Sequence, residues 1–520
     1  MSADESNCLD FFRYWSSERL SGVFQSRFWS SRVLQLSNNE PAVFHALIAL
    51  SSFQRSEITT DMSLEGPKSS KSRSFIDKWQ QLGLQQYNKA IESLHIHFAA
   101  KDHLSIKVTL AVCILLTCTD IIRGARAAAN THIENGIRLL LALYRADNGL
   151  QQIATLTANA RPMNSMQDRC IELDLIEAVI RLNTQNLVFG HPIRVLLTAA
   201  GLGPLYPLEM PPTFDSLGEM RTYLDRILNL VLRPPRKRSQ KGTWEKLSLE
   251  EFNCQQHFLQ RALDKWLSAY QASVPVVQLS LLSRLSPGIE LLRVYYVMAT
   301  IMLSARDPGG GLAGSQMTYD SHSETFEDVL ERTTTVFGIL NQAESPIPGC
   351  DWIPDQRGLD LKADMGILPP LSYTAIKCRQ PFIRRRAIEL LVRVSHCEGL
   401  WDGVAVAAVV QKIIELEEGD FYATTSERPW YMWGSECHRS KPGPTTMAGT
   451  IRQTVAALPE AYRFQDVEVI LKEGTSPTKA RVAYQCRRGD SLLQGEHGIH
   501  ESKSIVCNLL HRNRIGTSLH

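Results

Sequence analysis

The chain of 520 residues is 44% hydrophobic and 21% charged, with a formal net charge of +2. That balance supports a large folded core and excludes a wholly disordered, collagen-like or disulfide-scaffold protein. It also excludes a strong overall field for nucleic acid or an anionic membrane, so any such contact has to be local.

The N-terminus, MSADESNCLDFF, is acidic and lacks the basic and apolar regions of a secretory signal. Residues 9–36 read as an aromatic-rich pair of short helices broken at Ser21-Gly22, with Phe11, Phe12, Trp15, Phe24, Phe28 and Trp29 as packing anchors. Pro41 opens a helix through Val43, Ala46, Leu47 and Leu50, because its missing N–H costs nothing in a first turn. His45 on that helix is expected to be packed or hydrogen-bonded rather than a ligand. The serine-rich stretch 56–74, with Gly66-Pro67, reads as a flexible loop.

Three helical patterns then follow between Phe75 and Arg145. Trp79, Leu82, Tyr87, Ile91, Leu94 and Phe98 mark an amphipathic helix. From Val108 to Cys118 the sequence VTLAVCILLTC is nearly all apolar, and a helix hydrophobic all round belongs inside a bundle. Its apolar run falls short of the ~20 residues that a membrane span requires. Arg123-Gly124 marks the turn into a third stripe of Ala128, Ala129, Ile133, Gly136, Ile137, Leu140, Leu141 and Tyr144. A soluble intracellular protein is expected, whose eleven scattered cysteines are mostly buried thiols. No CxxC pair occurs to build a zinc site.

Taken together, FFRYW, LSGVF, VLQLSNNEPAVFHALIALSSF, LQQYNKAIESL, the apolar helix and ANTHIENGIRLL resemble the regulatory domain of fungal binuclear-zinc-cluster transcription factors. Residues 378–391, 399–418 and 459–488 resemble the closing segments of that family, so the likeness covers about 9–488. It implies an all-α fold, a multi-helix bundle of packed hairpins, with a small C-terminal β-hairpin read from the period-two alternation of QDVEVIL and KARVAYQC. Residues 1–8 read as a short N-terminal segment, and the tail 489–520 is expected to be mostly disordered. Loops are expected at 56–74, 147–167, 190–213, 233–245 and 421–458.

The resemblance also implies control of metabolic genes, extending to a secondary-metabolite cluster, and residence in the nucleus. Family members carry a six-cysteine zinc cluster that reads DNA upstream of this region. Here Cys8 is the only cysteine before Cys113, so that module is expected to be missing and no direct DNA binding is expected. Either the protein works without it or the sequence has lost its first part. The implied partners are transcription machinery or a DNA-binding relative, with a small-molecule effector between helices as a further ligand, and no membrane.

Helical patterns recur at 215–232, 250–272, 287–305, 323–343, 381–394 and 402–418. The densest basic run, with Arg233, Arg236, Lys237, Arg238 and Lys241, reads either as a solvated loop or as a nuclear import signal. Arg384, Arg385 and Arg386 occupy most of a helix circumference, so at least one is expected to turn toward the core with its head paired. No HExxH, GxSxG or dinucleotide fingerprint is present, and His396-Cys397 with Cys437-His438 fit no common zinc spacing. No catalytic residue, cofactor or metal is therefore expected. An enzyme with a site assembled from distant residues, and a cytoplasmic scaffold, remain the alternatives.

Overall fold

A helix without a polar face has to be enclosed, and the computed structural model of the chain shows how the run VTLAVCILLTC is covered. It describes residues 1–24, 26–64, 77–100, 103–146, 164–188, 210–232, 236–238, 244–280, 286–306, 316–343, 360–394, 396–399, 401–419, 421–422, 457–464, 467–472, 481–488 and 491–498. The enclosed helix is α6, His103–Ile122, preceded by α4, Pro41–Leu64, and α5, Lys78–Ala100, and followed by α7, Arg126–Ala146. Helices α4, α5 and α7 all pack on α6, and α8, Asn164–Val188, closes over α6 and α7. Leu104–Ile122 is long and apolar enough to cross a membrane by length and composition, which corrects the shorter estimate from the central run. Its ends are extended by Leu104, Ile106, Ile121 and Ile122, and 89% of it is buried in the bundle.

The N-terminal aromatic segment lies against α4. It comprises α1, Ala3–Phe11, α2, Ser17–Ser21, and α3, Val33–Asn39, joined through π-helical turns at Phe12–Ser16 and Phe28–Arg32. Ser2 and Glu5 form a reciprocal capping box that starts α1. Phe11, Phe12, Phe24, Phe28 and Trp29 are buried as anchors. Trp15 is instead half-buried and stacks on Phe11, with the ring centroids 4.8 Å apart. The chain breaks at Gly22, whose φ of 64° suits a residue without a Cβ.

The second half packs α9, Leu217–Val231, α10, Leu249–Ser280, α11, Pro287–Ser304, and α12, Ser323–Ala343. It closes with α13, Leu368–Lys377, α14, Pro381–Arg393, and α15, Gly403–Glu418. Trp266, fully buried on α10, lies between the rings of Tyr270 and Tyr296 at 5.0 and 5.6 Å and donates its indole N–H to the Met220 carbonyl at 2.8 Å. Helix α10 continues past the expected end near 272 and through Pro275, because buried Val277 and part-buried Val274 keep that turn on the core.

Other expectations are corrected. Helix α4 runs to Leu64, well into the stretch read as a loop. Pro369-Pro370 stand in the first turn of α13, where proline is favoured. The basic run forms a strand, β1, Arg236–Arg238, paired antiparallel with β2, Trp244–Lys246. A second small sheet joins β3, Asp360–Lys362, in parallel to β4, His396–Glu398, which pairs antiparallel with β5, Trp401–Asp402. The C-terminal hairpin is a three-stranded antiparallel sheet: β6, Val467–Lys472, β7, Arg481–Arg488, and β8, Ser491–Gly498, the last lying inside the expected tail. Of the loops expected at 147–167, 190–213 and 421–458, residues 147–163, 190–209 and 423–456 lie outside the described residues, and 164–167 open α8.

Candidate functional site

The α6–α7 hairpin turns at Gly124, with φ of 74°, as Arg123-Gly124 predicts. Beneath that turn sits the fully buried carboxylate of Asp120. It accepts from the Tyr87 hydroxyl at 3.0 Å and from Arg123 Nη1 at 2.8 Å, and His132 Nε2 stands 3.4 Å away. Burial, reinforced by the Asp120 charge, pushes the Tyr87 hydroxyl far above its ordinary pKa, so it stays a donor. Next to this cluster lies a cleft lined by Cys113, Thr117, His132, Gly136, Val179 and Leu182. A Cβ at Gly136 would stand 3.7 Å from Cys113 Cβ, which is how closely α7 approaches α6. The cleft has room for little more than a water molecule, far less than a drug-sized effector occupies.

A second polar junction gathers around residues 363–368. The Arg221 guanidinium grips both oxygens of Asp364, lies 3.3 Å from Asp225 and stacks 4.1 Å from the centroid of Phe24. Burial works against its charge, but Asp364 and Asp225 outweigh burial and keep it protonated. Burial also pushes the Asp225 carboxyl above its usual range, against the pull of Arg221 and Arg181. Glu398, buried on β4, accepts the N–H groups of Gly366 at 2.8 Å and Ile367 at 2.9 Å, and its neighbour His396 Nε2 is 3.0 Å away. That carboxylate fills the positive N-terminal end of α13 from inside the protein. The Tyr295 hydroxyl donates to the Gly366 carbonyl at 2.7 Å and is held protonated by burial, with Glu398 adding to the effect.

The third cluster explains the triple arginine. Arg384 is fully buried and pairs with Glu417 and Glu418, and Arg385 donates to Glu418 at 2.8 Å. Arg379 donates to the other Glu417 oxygen at 2.8 Å. Burial raises the Glu417 pKa, but Arg384 and Arg379 overcome it and hold the carboxyl down at about 2. Residues 457–464 then dock on this cluster through Arg463 and Phe464. The sequence pattern expects at least one of Arg384, Arg385 and Arg386 to turn inward, and Arg384 does so most fully, but it does not single out Glu417, Arg379 or Arg463. Their only signal was a paired glutamate ending an otherwise apolar helix.

Of the basic run, Arg236, Lys237 and Arg238 form β1 opposite Lys246, Glu245 and Trp244, while Arg233 and Lys241 lie outside the described residues. His45 Nδ1 is hydrogen-bonded to Gln86 Oε1 at 2.6 Å, as a structural histidine. Cys437 and His438 lie outside the described residues, and no group of three metal-ligating side chains occurs among the described ones. Burial pushes the Cys113 and Cys118 thiols up to about 12 and that of Cys378 to about 11, the reverse of an activated nucleophile. These three clusters fix helices to one another and do not converge on a reacting centre.

Residues 7–163 match the fungal specific transcription factor domain family. The aspercryptin biosynthesis cluster-specific transcription regulator atnN of Emericella nidulans is 24% identical over 387 aligned residues. The alignment covers 62% of this chain and 60% of that relative, so the chain spans about three fifths of its length. No solved structure matches the chain. From the α1 segment through the enclosed α6 and the Gly124 turn, residues 7–163 are thus similar to the fungal specific transcription factor domain, the family that the sequence blocks resemble.

Proposed function

We propose that the chain is a nuclear transcriptional regulator of fungal metabolic genes, acting through protein contacts of its helical bundle. The observation that carries this reading is the family match over residues 7–163, on helices whose buried polar groups serve packing. The relative's role in one biosynthetic cluster supports a secondary-metabolite gene set as the target. Transcription machinery, or a relative that reads DNA, is the partner class, and the bundle contributes no catalytic step. The Arg236–Arg238 strand and its flanking basic residues serve as the import signal, since clustered lysines and arginines are what import carriers read.

A reporter assay tests the regulatory reading. The chain is fused to a heterologous DNA-binding module and compared with the unfused chain. Activation or repression on tethering is expected. Silence from a fusion that is folded and nuclear overturns the reading. Replacing Arg236, Lys237 and Arg238 with alanine is expected to move a tagged chain toward the cytoplasm, and unchanged nuclear imaging removes the import role.

A further inference from the structure

Residues 457–464 sit on the bundle in the manner of a short peptide ligand. Leu458, Arg463 and Phe464 are all buried. The Glu460 carboxylate accepts the N–H groups of Gln316 and Met317, at 2.9 and 3.0 Å, at the start of the 3-10 helix Gln316–His322. Arg463 grips the same helix from the other side. Its Nη1 donates to the Gln316 carbonyl at 2.9 Å, and its two terminal nitrogens reach the Asp320 oxygens at 2.8 and 2.7 Å. The Phe464 N–H donates to Glu417 Oε1 at 2.8 Å. A turn closed by Tyr462 N–H on the Pro459 carbonyl, with Arg463 Nε on the Leu458 carbonyl, shapes the segment before it meets the groove.

The groove does not depend on this segment for its own charge balance. Glu417 is already paired with Arg379 and Arg384, and Arg384 also donates to the Ala375 carbonyl at 3.0 Å. Asp320 is part-exposed, so water can replace Arg463 there. Departure of the segment therefore strands no buried charge, and what it gives up is the apolar contacts of Leu458 and Phe464 and hydrogen bonds that water can replace at the opened groove.

We propose that this groove, between the 316–322 helix and the α13–α15 cluster, is a peptide-binding site that the chain fills with its own residues 457–464. The contact is a reversible latch. Once displaced, it leaves a site for a separate peptide that presents Leu-Pro-Glu, two residues, and Arg-Phe. The proposal stands apart from the regulatory reading, because it rests on the groove alone.

The test uses the full chain with a specific protease sequence inserted between residues 440 and 441, cut after folding. A labelled peptide of residues 457–464 is the probe. It is expected to leave the uncut chain unbound, because the tethered copy competes at an effective concentration of roughly millimolar. It is expected to bind the cut chain and release the 441–520 piece in gel filtration. A peptide with Arg463→Ala, and a chain with Asp320→Ala, should each bind about tenfold or more weakly, as for loss of a charge-assisted pair. Retention of the 441–520 piece at saturating peptide overturns the latch. Equal binding of the Arg463→Ala peptide, or loss of helical signal on cutting, does the same.

Discussion

The guanidinium of Arg55 on α4 lies 3.9 Å from the centroid of the Trp79 ring on α5 and 5.5 Å from that of Phe11 on α1. Phe11 stacks in turn on Trp15, over which Arg19 of α2 sits at 4.5 Å, so the chain of rings and cations runs from α5 through α4 and α1 to α2. Arg55 also donates to the Asn7 carbonyl at 3.2 Å. Replacing it with alanine removes a stack worth about 1 kcal/mol together with a hydrogen bond of similar size. Hydrogen exchange of the α1 amides should quicken by roughly tenfold in Arg55→Ala, and by less in Arg55→Lys, which keeps charge but loses the planar fork. Unchanged α1 protection would mean that the stack holds nothing.

The Arg221–Asp364 pair should respond asymmetrically. Arg221→Met strands the buried Asp364 carboxylate and leaves Asp225 to Arg181 alone, at an expected cost of about 3–5 kcal/mol, whereas Arg221→Met with Asp364→Leu should recover much of the loss. Thermal unfolding of the two single variants and the double variant measures the coupling.

Two helical glycines should behave oppositely. At Gly136 a Cβ meets its neighbours at 3.7 Å or more, an ordinary contact, so Gly136→Ala should stabilise by up to about 1 kcal/mol through helix propensity. At Gly83 the same atom would stand 2.7 Å from the Phe53 ring, which also lies 5.3 Å beneath Arg123. Gly83→Ala should therefore destabilise by about 1–3 kcal/mol through overpacking. Chemical denaturation of the pair, with slopes compared, decides it.

Acid stability should carry the signature of Glu417. Its folded pKa lies below the ordinary carboxylate value of 4.5, at about 2, so the carboxylate contributes stability fully above 4.5. That contribution is lost as pH falls from 4.5 toward 2. Glu417→Gln should be less stable at neutral pH, because Arg384 and Arg379 lose their counter-charge, and should show a shallower decline in that window. Circular dichroism between pH 5 and pH 2 reads both effects.

The elements legible in the sequence were those whose signal is local. Helix α6 announced itself by having no polar face, its hairpin by Gly124, and the inward turn of one of three arginines by their crowding on α14. The all-α bundle follows from such patterns. What stayed illegible depends on partners far apart in the chain. The parallel pairing of Leu361 with Cys397 has no local signature, and Arg463 meets Asp320 across 143 positions. Nor is it local that the helix opened by Pro369-Pro370 receives its cap from Glu398, some thirty residues further on. The basic run showed its charge but not its strand, since three paired residues are too few to set up a period.

Helix α8 begins at Asn164, one residue beyond the stretch that matches the family, yet its Val179 and Leu182 roof the cleft over Cys113 and Gly136, and its Asp174 pairs with Arg32 at 3.1 Å. During synthesis α6 therefore emerges with only α4 and α5 available to cover it, and its other flank stays unshielded until some sixty more residues have followed. A fragment cut at residue 163 would freeze that moment, with sticky flanks and a demand for chaperones. The stretch that matches the family and the set of helices that encloses α6 end at different places in this chain.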